Sequence, residues 1–297
     1  MNEQRPVAVY GLGNMGYLIA ERIAKAFPVK VSDLDQNALA RAREQFGASP
    51  IEAPKEVANA RVVVLSLPSP AVSRAVVQQV VEHLAQGSVV VETSTVNPED
   101  IQALHSLLAP RGIELVDASV LAGVGQMAAG TASLAIGGSP EAIAAAQPVL
   151  DAIADKQVLF GGLGAGAAAK VINNAVAHAV MVVVAEAGAM ATAAGVSCDK
   201  LIDMLADSQM GIQRPLTHRY AERIVQGNYQ GGMPLDAARK DSVLALQLAQ
   251  SLGVPLFAIQ GSHSVYEMAA MAGHGREDYA AIARLWEAWG CPAVPAA

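Results

Sequence analysis

A glycine-rich turn between a predicted strand and a predicted helix restricts the fold of this chain more than any other feature. The turn follows an apolar run at residues 7–10 and leads into an amphipathic stretch at residues 15–26. Its GxGxxG spacing allows a tight turn, close approach of a ligand to the backbone, and close packing of helix on strand. Unpaired N–H groups and the helix dipole favour an anion there. An ordinary glycine-rich turn is the alternative, but this position favours a dinucleotide pyrophosphate bound by Gly11, Leu12, Gly13, Asn14, Met15 and Gly16.

The first half of the chain alternates short, mostly valine-rich runs with amphipathic stretches such as residues 71–84. Runs of this length, bounded by Gly, Pro or polar residues, are typical of buried strands. Their alternation with helices predicts a parallel sheet covered by helices on both faces. The predicted strands are residues 7–10, 29–32, 62–67, 88–92, 114–116, 132–136 and 157–160.

The pattern changes after the glycine-rich segment 161–164, because no convincing strand follows it and the remaining sequence has helical periodicity. We therefore predict an α/β fold with two domains. A Rossmann-like dinucleotide-binding domain spans residues 1–163, and an all-helical domain for substrate binding and oligomerisation spans residues 164–297. The predicted helices of the second domain are residues 165–194, 199–208, 212–225, 235–252, 256–271 and 279–289.

Composition excludes several classes of function. Apolar residues make up 53% of the 297 residues, which supplies a large core and excludes a disordered chain. The net charge of −7 provides no basic excess for nucleic-acid phosphates, and 4% aromatic residues are too few for base-stacking platforms. Two cysteines, Cys198 and Cys291, make neither a disulfide framework nor a zinc cluster, and we predict no metal site. The N-terminal residues lack the apolar region of a signal peptide, so we predict a cytoplasmic protein.

The most apolar part of the chain, residues 175–194, is long enough to cross a membrane. His178 and Glu186 interrupt it, and no basic cluster flanks it. A helix that is apolar all round lies in a protein core or in a membrane, and these interruptions favour a buried helix without membrane contact. The stretch is more apolar than one small domain needs. We therefore expect partial burial against another subunit, in a homodimer or homotetramer.

Asp33 ends the second predicted strand, 17 residues after the last motif glycine, near the position that binds ribose in Rossmann domains. A carboxylate there accepts hydrogen bonds from ribose hydroxyls and repels a 2′-phosphate, which favours NAD over NADP. A solvated loop aspartate is the alternative. Two further loops follow strands at the edge where ligands bind. Their residues Leu67, Pro68, Ser94 and Thr95 are either cofactor contacts or ordinary turn and cap residues.

Lys170 lies in the first turns of the long apolar helix, and Asn174 shares its face because four residues separate them. A lysine among apolar residues has two interpretations. It can extend along the surface and keep its ammonium group in water. Alternatively, it is partly buried, its charged form is disfavoured, and its amine can transfer a proton. The residues alone do not decide between the two.

Five motifs, in this order and at this spacing, together resemble the β-hydroxyacid dehydrogenase family. That family includes 3-hydroxyisobutyrate dehydrogenase, tartronate semialdehyde reductase and, more distantly, 6-phosphogluconate dehydrogenase. The resemblance runs from about Val7 to Lys240, which is most of the chain. The matching segments are the turn at 11–16, Thr-Ser-Thr-Val-Asn-Pro at 93–98, Asp-Ala-Ser-Val-Leu-Ala-Gly at 117–123, residues 164–174 around Lys170, and Lys240-Asp241.

The resemblance implies an NAD-dependent enzyme that transfers a hydride between nicotinamide and a hydroxy acid or a related alcohol or carbonyl compound. It implies that Lys170 is the general acid/base, that Asn174 orients the substrate, and that Lys240 lies near the nicotinamide, with Asp241 structural. The cofactor carries the hydride chemistry, and the protein supplies orientation and electrostatics. The residues that the resemblance places at the substrate are Ser119, Leu121, Ala122, Gly123, Lys170 and Asn174.

The substrate loop departs from the family pattern, which usually reads Asp-Ala-Pro-Val-Ser-Gly-Gly. Ser119, Leu121 and Ala122 replace its Pro, its Ser and its first Gly, and Gln126 and Met127 replace a usual Gly-Ala. Leu121 has no hydroxyl to donate to a substrate carboxylate, although backbone amides of the loop could still donate. Neutral drift of the loop is one explanation. A substrate bulkier or less polar than 3-hydroxyisobutyrate is the other, with Met127 adding apolar surface if it lines the pocket.

Two alternative functions share this architecture. Imine reductases usually lack the catalytic lysine and read Asn-Arg after the second strand, so Lys170 and Asp33 argue against that family. A non-catalytic dinucleotide-binding protein would need an inactive catalytic position, and Lys170 with Asn174 argues against one. The 6-phosphogluconate enzymes have a much longer helical part, which the length of this chain excludes.

Overall fold

The computed structural model describes residues 5–291. These residues form two compact units, and the division between the units falls between Ala175 and Val176, inside one long helix.

One eight-stranded sheet forms the centre of the first unit. Its strands are β1 (Val7–Tyr10), β2 (Val29–Ser32), β3 (Ser49–Pro50), β4 (Val62–Leu65), β5 (Val89–Glu92), β6 (Glu114–Leu121), β7 (Ser133–Gly137) and β8 (Lys156–Gly161). Their order in the sheet is β3-β2-β1-β4-β5-β6-β7-β8. All neighbours are parallel except β6 and β7, which corrects the prediction of an entirely parallel sheet. The connection at residues 122–132 is shorter than the dozen or more residues that a parallel crossover needs.

Six helices cover this sheet, as predicted, on both faces. They are α1 (Asn14–Ala24), α2 (Gln36–Phe46), α3 (Pro70–Val80), α4 (Pro98–Leu108), α5 (Val124–Ala129) and α6 (Pro140–Ile153). One core cluster includes Ile19 and Ile23 of α1, and the other includes Val77 and Val80 of α3. Apolar residues three or four positions apart share a helix face, so each helix buries one stripe against the sheet.

β6 is longer than predicted, because two polar residues lie inside it. The sequence supports a strand only over residues 114–116, whereas β6 continues to Leu121. Asp117 and Ser119 break the apolar pattern, yet the structure buries both. The two-residue strand β3 was not predicted, because a segment so short has no periodicity.

The carboxyl ends of the parallel strands β1, β2, β4 and β5 lie at one edge of the sheet. Tyr10, Leu65, Glu92 and Asp117 are register partners across β1, β4, β5 and β6. The loops that follow β1, β2, β4 and β5 are therefore neighbours. This edge is where ligands bind in open α/β sheets.

The described part of the second unit is helical, as predicted, with one isolated bridge between Pro234 and Asp278. Its first helix, α7 (Ala165–Ala193), begins in the first unit and crosses the division. The other helices are α8 (Cys198–Ala206), α9 (Leu235–Leu252), α10 (Ala258–Ala269) and α11 (Ala283–Ala288), with π-helical segments at Pro215–Ile224 and Ala270–His274 and a 3-10 helix at Tyr279–Ile282.

Two buried carboxylates organise the second unit. Asp278 is fully buried, and Arg219 and Arg223 approach it with Nε to 3.2 and 3.4 Å. Glu186 of α7 accepts hydrogen bonds from the backbone N–H groups of residues 257, 258 and 259 at the start of α10, at 2.6–3.0 Å. An anion at a helix N-terminus satisfies N–H groups that have no partner within the helix. Glu186, which interrupts the apolar run, therefore joins α7 to α10.

α7 is long and apolar enough to span a membrane, judged by length and composition alone. Only 11% of its apolar window is buried inside this chain. Large apolar side chains along it, such as Ile172, Val176 and Met181, are about 60% exposed. Residues 5–291 therefore cover little of this helix, and the expectation of a covering subunit stays a prediction.

Candidate functional site

The glycine-rich turn connects β1 to α1, and two of its glycines are required by close contacts. Gly11 has φ +95°, and a Cβ there would lie 2.1 Å from the carbonyl oxygen of Ser66. A Cβ at Gly16 would lie 2.1 Å from the carbonyl oxygen of Gly11. Gly13, in contrast, has nothing within 4 Å of its Cβ position. The turn therefore packs tightly on its protein side and leaves the backbone at Gly13 open to a ligand.

The start of α1 fits an anionic group. Gly13 is the N-cap and no side chain caps the helix. Gly13 and Asn14 are exposed, whereas Leu12 is buried beneath the turn and Met15 is half-buried. The first N–H groups of a helix have no intrahelical partner, so this end can receive a pyrophosphate.

Asp33 joins the end of β2 to the glycine-rich turn. Its Oδ2 accepts the backbone N–H of Leu12 at 2.5 Å, and its Oδ1 accepts the N–H of Asp35 at 2.8 Å. Asp35 in turn caps α2 through Asn37. Two carboxylates therefore follow β2, and no Lys or Arg lies between Asp33 and Asn37.

The two loops predicted to contact the cofactor are joined by a hydrogen bond. The backbone N–H of Leu67, after β4, donates to Ser94 Oγ, after β5, at 2.8 Å. Thr93 Oγ1 donates to the Leu65 carbonyl oxygen at 2.7 Å. Pro68 and Thr95 are exposed at the loop tips. The structure thus brings the two loops together and presents their tips to solvent.

Asp117 anchors the first turn of α7 to β6, a role that the sequence does not reveal. Its two carboxylate oxygens accept the backbone N–H groups of Gly164 and Ala167, both at 2.7 Å. A Cβ at Gly166 would lie 2.4 Å from the carbonyl oxygen of Ala135 and 2.8 Å from the carboxylate, so only glycine fits there. Burial raises the pKa of Asp117, and the two backbone N–H donors oppose that rise.

Lys170 lies one turn further along α7 and contacts the same strand. Its Nζ donates to the carbonyl oxygen of Val120 at 2.6 Å. The side chain is half-buried, and burial lowers the pKa of the ammonium below its usual value. The structure therefore favours the partly buried interpretation of this lysine over a freely solvated one. Asn174 is also half-buried, and its Oδ1 lies 3.4 Å from Nδ2 of Asn173.

The substrate loop is arranged differently from the expectation in two respects. The condition set for Met127 is not met, because its side chain is fully buried in the core of the first unit and does not line an open pocket. Gln126 Oε1 accepts the backbone N–H of Gly123 at 3.0 Å, so this amide already has a partner. Leu121 and Ala122 are half-buried.

Ser119 is buried in β6, and its Oγ has no hydrogen-bond partner. The structure therefore places the Ser119 side chain inside the fold and not at an open surface. Lys240 lies on α9 in the second unit, where its side chain is 69% exposed and its Nζ is 3.2 Å from Asp241 Oδ1. Within residues 5–291, no group of three or more His, Cys, Asp or Glu residues could hold a metal ion.

Known proteins are similar to this chain along nearly its whole length. Residues 6–162 match the family model for the NAD-binding domain of 6-phosphogluconate dehydrogenase. Residues 164–286 match the model for the NAD-binding region of NADP-dependent 3-hydroxyisobutyrate dehydrogenase. The L-threonate dehydrogenase of Cupriavidus necator is 32% identical over 288 residues, which cover 95% of this chain and 96% of that protein. The chain belongs to the β-hydroxyacid dehydrogenase family.

Solved structures extend the comparison. The 3-hydroxyisobutyrate dehydrogenase of Mycobacterium tuberculosis, in a structure with L-serine, is 27% identical with a TM-score of 0.67 and covers 95% of this chain and 99% of its own. An imine reductase from a Pseudomonas species is 21% identical with a TM-score of 0.84 and covers 95% and 99%. The second likeness shows the fold alone. Membership of the β-hydroxyacid dehydrogenase family makes this chain an oxidoreductase that uses a nicotinamide dinucleotide.

Proposed function

We propose that this member of the family is an NAD-dependent dehydrogenase or reductase in which Lys170 is the general acid/base for a hydroxy acid or a related alcohol or carbonyl substrate. The observation that carries this proposal is the half-buried amine of Lys170, fixed by the Val120 carbonyl oxygen at 2.6 Å. An ammonium group has three donors. One bond to Val120 leaves two positions on Nζ for a substrate oxygen.

The proposed mechanism uses the lowered pKa of Lys170. In the oxidation direction, neutral Nζ accepts the substrate hydroxyl proton, and in the reduction direction the ammonium group donates a proton to the carbonyl oxygen. Asn174, one turn further along the same helix face, orients the substrate oxygen. Asp117 holds the first turn of α7 and thereby fixes the position of Lys170 along β6. The bound cofactor supplies or accepts the hydride.

The residues at the sheet edge fit NAD. We propose that Gly11, Gly13 and Gly16 receive the pyrophosphate, with Leu12, Asn14 and Met15 completing the turn. Asp33 keeps lone pairs for ribose hydroxyls beyond its two backbone bonds. A 2′-phosphate would meet Asp33 and Asp35 and would find no Arg or Lys between them, so NAD is favoured over NADP. Leu67, Pro68, Ser94 and Thr95 are the remaining proposed contacts in this unit, and Lys240 is proposed from the second unit.

The proposed substrate is bulkier or less polar than 3-hydroxyisobutyrate. Leu121 offers no side-chain donor, and the bond from Gly123 to Gln126 removes one backbone amide from the set that could hold a carboxylate. Ala122 adds a methyl group to the half-buried loop. The L-threonate dehydrogenase relative, 32% identical over 95% of this chain, carries the name of a substrate other than 3-hydroxyisobutyrate.

The exposed apolar surface of α7 supports an oligomer. A contiguous apolar surface of this kind on a folded chain marks an interface or a membrane contact. Glu186 occupies one face of the helix with bonds to α10, which is unsuited to lipid. We therefore propose that a second copy covers α7 in a homodimer or homotetramer. Light scattering at micromolar concentration should give at least twice the monomer mass of 30.6 kDa.

The proposed domain boundary lies at residues 163 and 164. The two family models meet there, at residues 162 and 164, whereas the division between compact units lies 11 to 12 residues later, inside α7. A cytoplasmic location is proposed from the two free cysteines, Cys198 and Cys291, both exposed, since reduced thiols persist in a reducing compartment.

A panel assay tests the proposed reaction. NADH formation or consumption should be followed with small and bulky hydroxy acids, alcohols, aldehydes and cyclic imines. Turnover of hydroxy or carbonyl compounds that is lost in Lys170→Ala supports the proposal. Turnover of imines that survives Lys170→Ala would show an imine reductase instead. NADH binding without any turnover across the panel would favour a non-catalytic dinucleotide-binding protein.

A further inference from the structure

We propose that Glu92 is a positioning residue for dinucleotide binding. It holds the loop at residues 93–97 and, through Ser94, the loop at residues 66–69 in the arrangement that receives the cofactor. The inference rests on the proposed assignment of Leu67, Ser94 and Thr95 as cofactor contacts. Glu92 ends β5 at this edge of the sheet, and its side chain is completely buried, so it supports the loops from beneath and is not an exposed contact.

Two consecutive hydrogen bonds make the connection. Glu92 Oε1 accepts the backbone N–H of Ser94 at 2.8 Å. Ser94 Oγ then accepts the backbone N–H of Leu67 at 2.8 Å. The first bond fixes the backbone direction after β5, and the second fixes the neighbouring loop after β4. A change in the acceptor at Glu92 would therefore be transmitted to both loops, although these loops are 27 residues apart in sequence.

The surroundings of the carboxyl group favour its neutral form. No ion pair includes Glu92 among the described residues, whose salt bridges all lie elsewhere. The groups that influence it are Ser73 from α3, Ser94 from its own loop and Asp100 from α4. Burial raises the pKa of Glu92, the hydroxyl and amide groups of the two serines lower it, and the charge on Asp100 raises it.

The surroundings of the second carboxyl oxygen, Oε2, also favour the neutral form of Glu92. Glu92 Oε2 and Ser73 Oγ are both buried without a well-formed hydrogen bond. Tyr10, two strands away on the same register line, also has a buried and unpartnered hydroxyl, and burial raises its pKa to about 12. A carboxylate in this setting would be an unpaired buried charge, which is costly. A neutral acid keeps Oε1 as an acceptor for Ser94 and can direct its proton to Ser73.

A binding experiment with three variants tests the inference. Glu92→Met keeps the side-chain length but removes the acceptor. NADH should then bind roughly tenfold more weakly by calorimetry, and KM for NAD should rise by a similar factor with a smaller change in kcat; tenfold corresponds to about 1.4 kcal/mol. Glu92→Gln keeps a neutral acceptor for Ser94 and should bind NADH with the parental affinity. Ser88→Ala, directly before the opposite end of β5, removes a buried hydroxyl bonded to Ala60 and should leave NADH affinity unchanged.

Several outcomes would overturn the inference. One is parental NADH affinity in folded Glu92→Met, and another is equal weakening in Glu92→Gln and Glu92→Met. If Glu92→Met does not fold, amide hydrogen exchange decides with the parent protein and Glu92→Gln. The amides of Leu67 and Ser94 should be protected together in both proteins, and fast exchange of either in the folded parent would show that the connection does not hold. Failure of the parent to bind NADH would instead overturn the proposed function, on which this inference depends.

Discussion

Replacing Lys170 with alanine should lower turnover by about two to four orders of magnitude, the usual contribution of a positioned general acid or base. This range corresponds to about 2.7–5.4 kcal/mol of transition-state free energy. The structure predicts a much smaller effect on folding. The lysine makes one bond, to the Val120 carbonyl oxygen, and is half-buried, so water can replace Nζ there at a cost of about 1 kcal/mol.

The pH dependence of the rate should have opposite signs for oxidation and reduction, because the two directions need different protonation states of Lys170. Oxidation needs the neutral amine, so kcat/KM for oxidation should rise with pH to an apparent pKa below the 10.5 of an ordinary lysine, because burial lowers the pKa of Lys170. Reduction needs the ammonium group, so its rate should fall over the same range. In Lys170→Ala, both the rise of the oxidation rate and the fall of the reduction rate over this pH range should disappear. Lys170→Arg should not restore activity, since a guanidinium group stays protonated.

The assay compares kinetics with binding. NADH formation gives kcat and KM, and calorimetry gives the dissociation constant for NADH, which should barely change because Lys170 is not a proposed cofactor contact. Lys156→Ala is the matched control, since Lys156 is an exposed lysine on β8 of the same unit. Near-parental turnover in Lys170→Ala, with this pH dependence intact, would refute the reasoning.

Four further predictions follow from individual side chains. Asp33→Ser should reduce the preference for NAD over NADP by about 1–3 kcal/mol, measured as the ratio of kcat/KM values; equal values in the parent would refute the assignment. The double variant Leu121→Ser/Ala122→Gly should shift preference towards small hydroxy acids in a substrate panel. The idea fails if the parent already turns over a small 3-hydroxy acid at about 10⁴ M⁻¹s⁻¹ or more and the double variant does no better. Asp117→Asn should lower stability by about 1–3 kcal/mol in urea unfolding and lower kcat without changing NADH affinity, because the single oxygen of an amide cannot accept the N–H groups of both Gly164 and Ala167 at the start of α7. Unchanged stability would contradict the anchor. Because the pKa of Glu92 is raised in the folded state, the stability of the parent should fall relative to Glu92→Gln as pH rises above about 4.5, the unfolded value. A Tm difference that is constant with pH would show that the carboxyl is already ionised in the folded protein or exposed.

Local patterns in the sequence were sufficient for the glycine-rich turn and the sheet edge beside it. The turn at residues 11–16 is specified by glycine spacing, and its contacts are with Ser66 and with the turn itself. Asp33 follows from its distance along the chain, and the structure places its carboxylate on the N–H of Leu12. These features depend on short-range backbone geometry and on a sheet edge that any parallel β–α–β arrangement forms.

Side-chain environments set by distant residues were not available from the sequence. Asp117 contacts Ala167, and Lys170 contacts Val120; in each case about 50 residues separate the two partners. Sequence spacing therefore could not reveal the anchoring of α7 or the partial burial of the Lys170 amine. A flexible apolar side chain such as Met127 suits either a pocket or a core. Tertiary packing decides which face of α5 meets the core, and Met127 lies on that face.

The long apolar helix α7 also separates what local sequence predicts from what tertiary packing decides. The sequence determined that residues 165–193 are helical and apolar, because composition and periodicity are local properties. It favoured a buried helix over a membrane span, with part of the helix covered by a second subunit, but it did not tell which face of the helix packs against which element. Tertiary structure decided that Glu186 binds the N-terminus of α10, while the described residues leave most of the apolar surface uncovered. The hydrophobic effect favours removing the apolar surface of this helix from water, and this follows from composition alone. Which surface covers it depends on how whole helices and sheets pack, and this requires the tertiary structure.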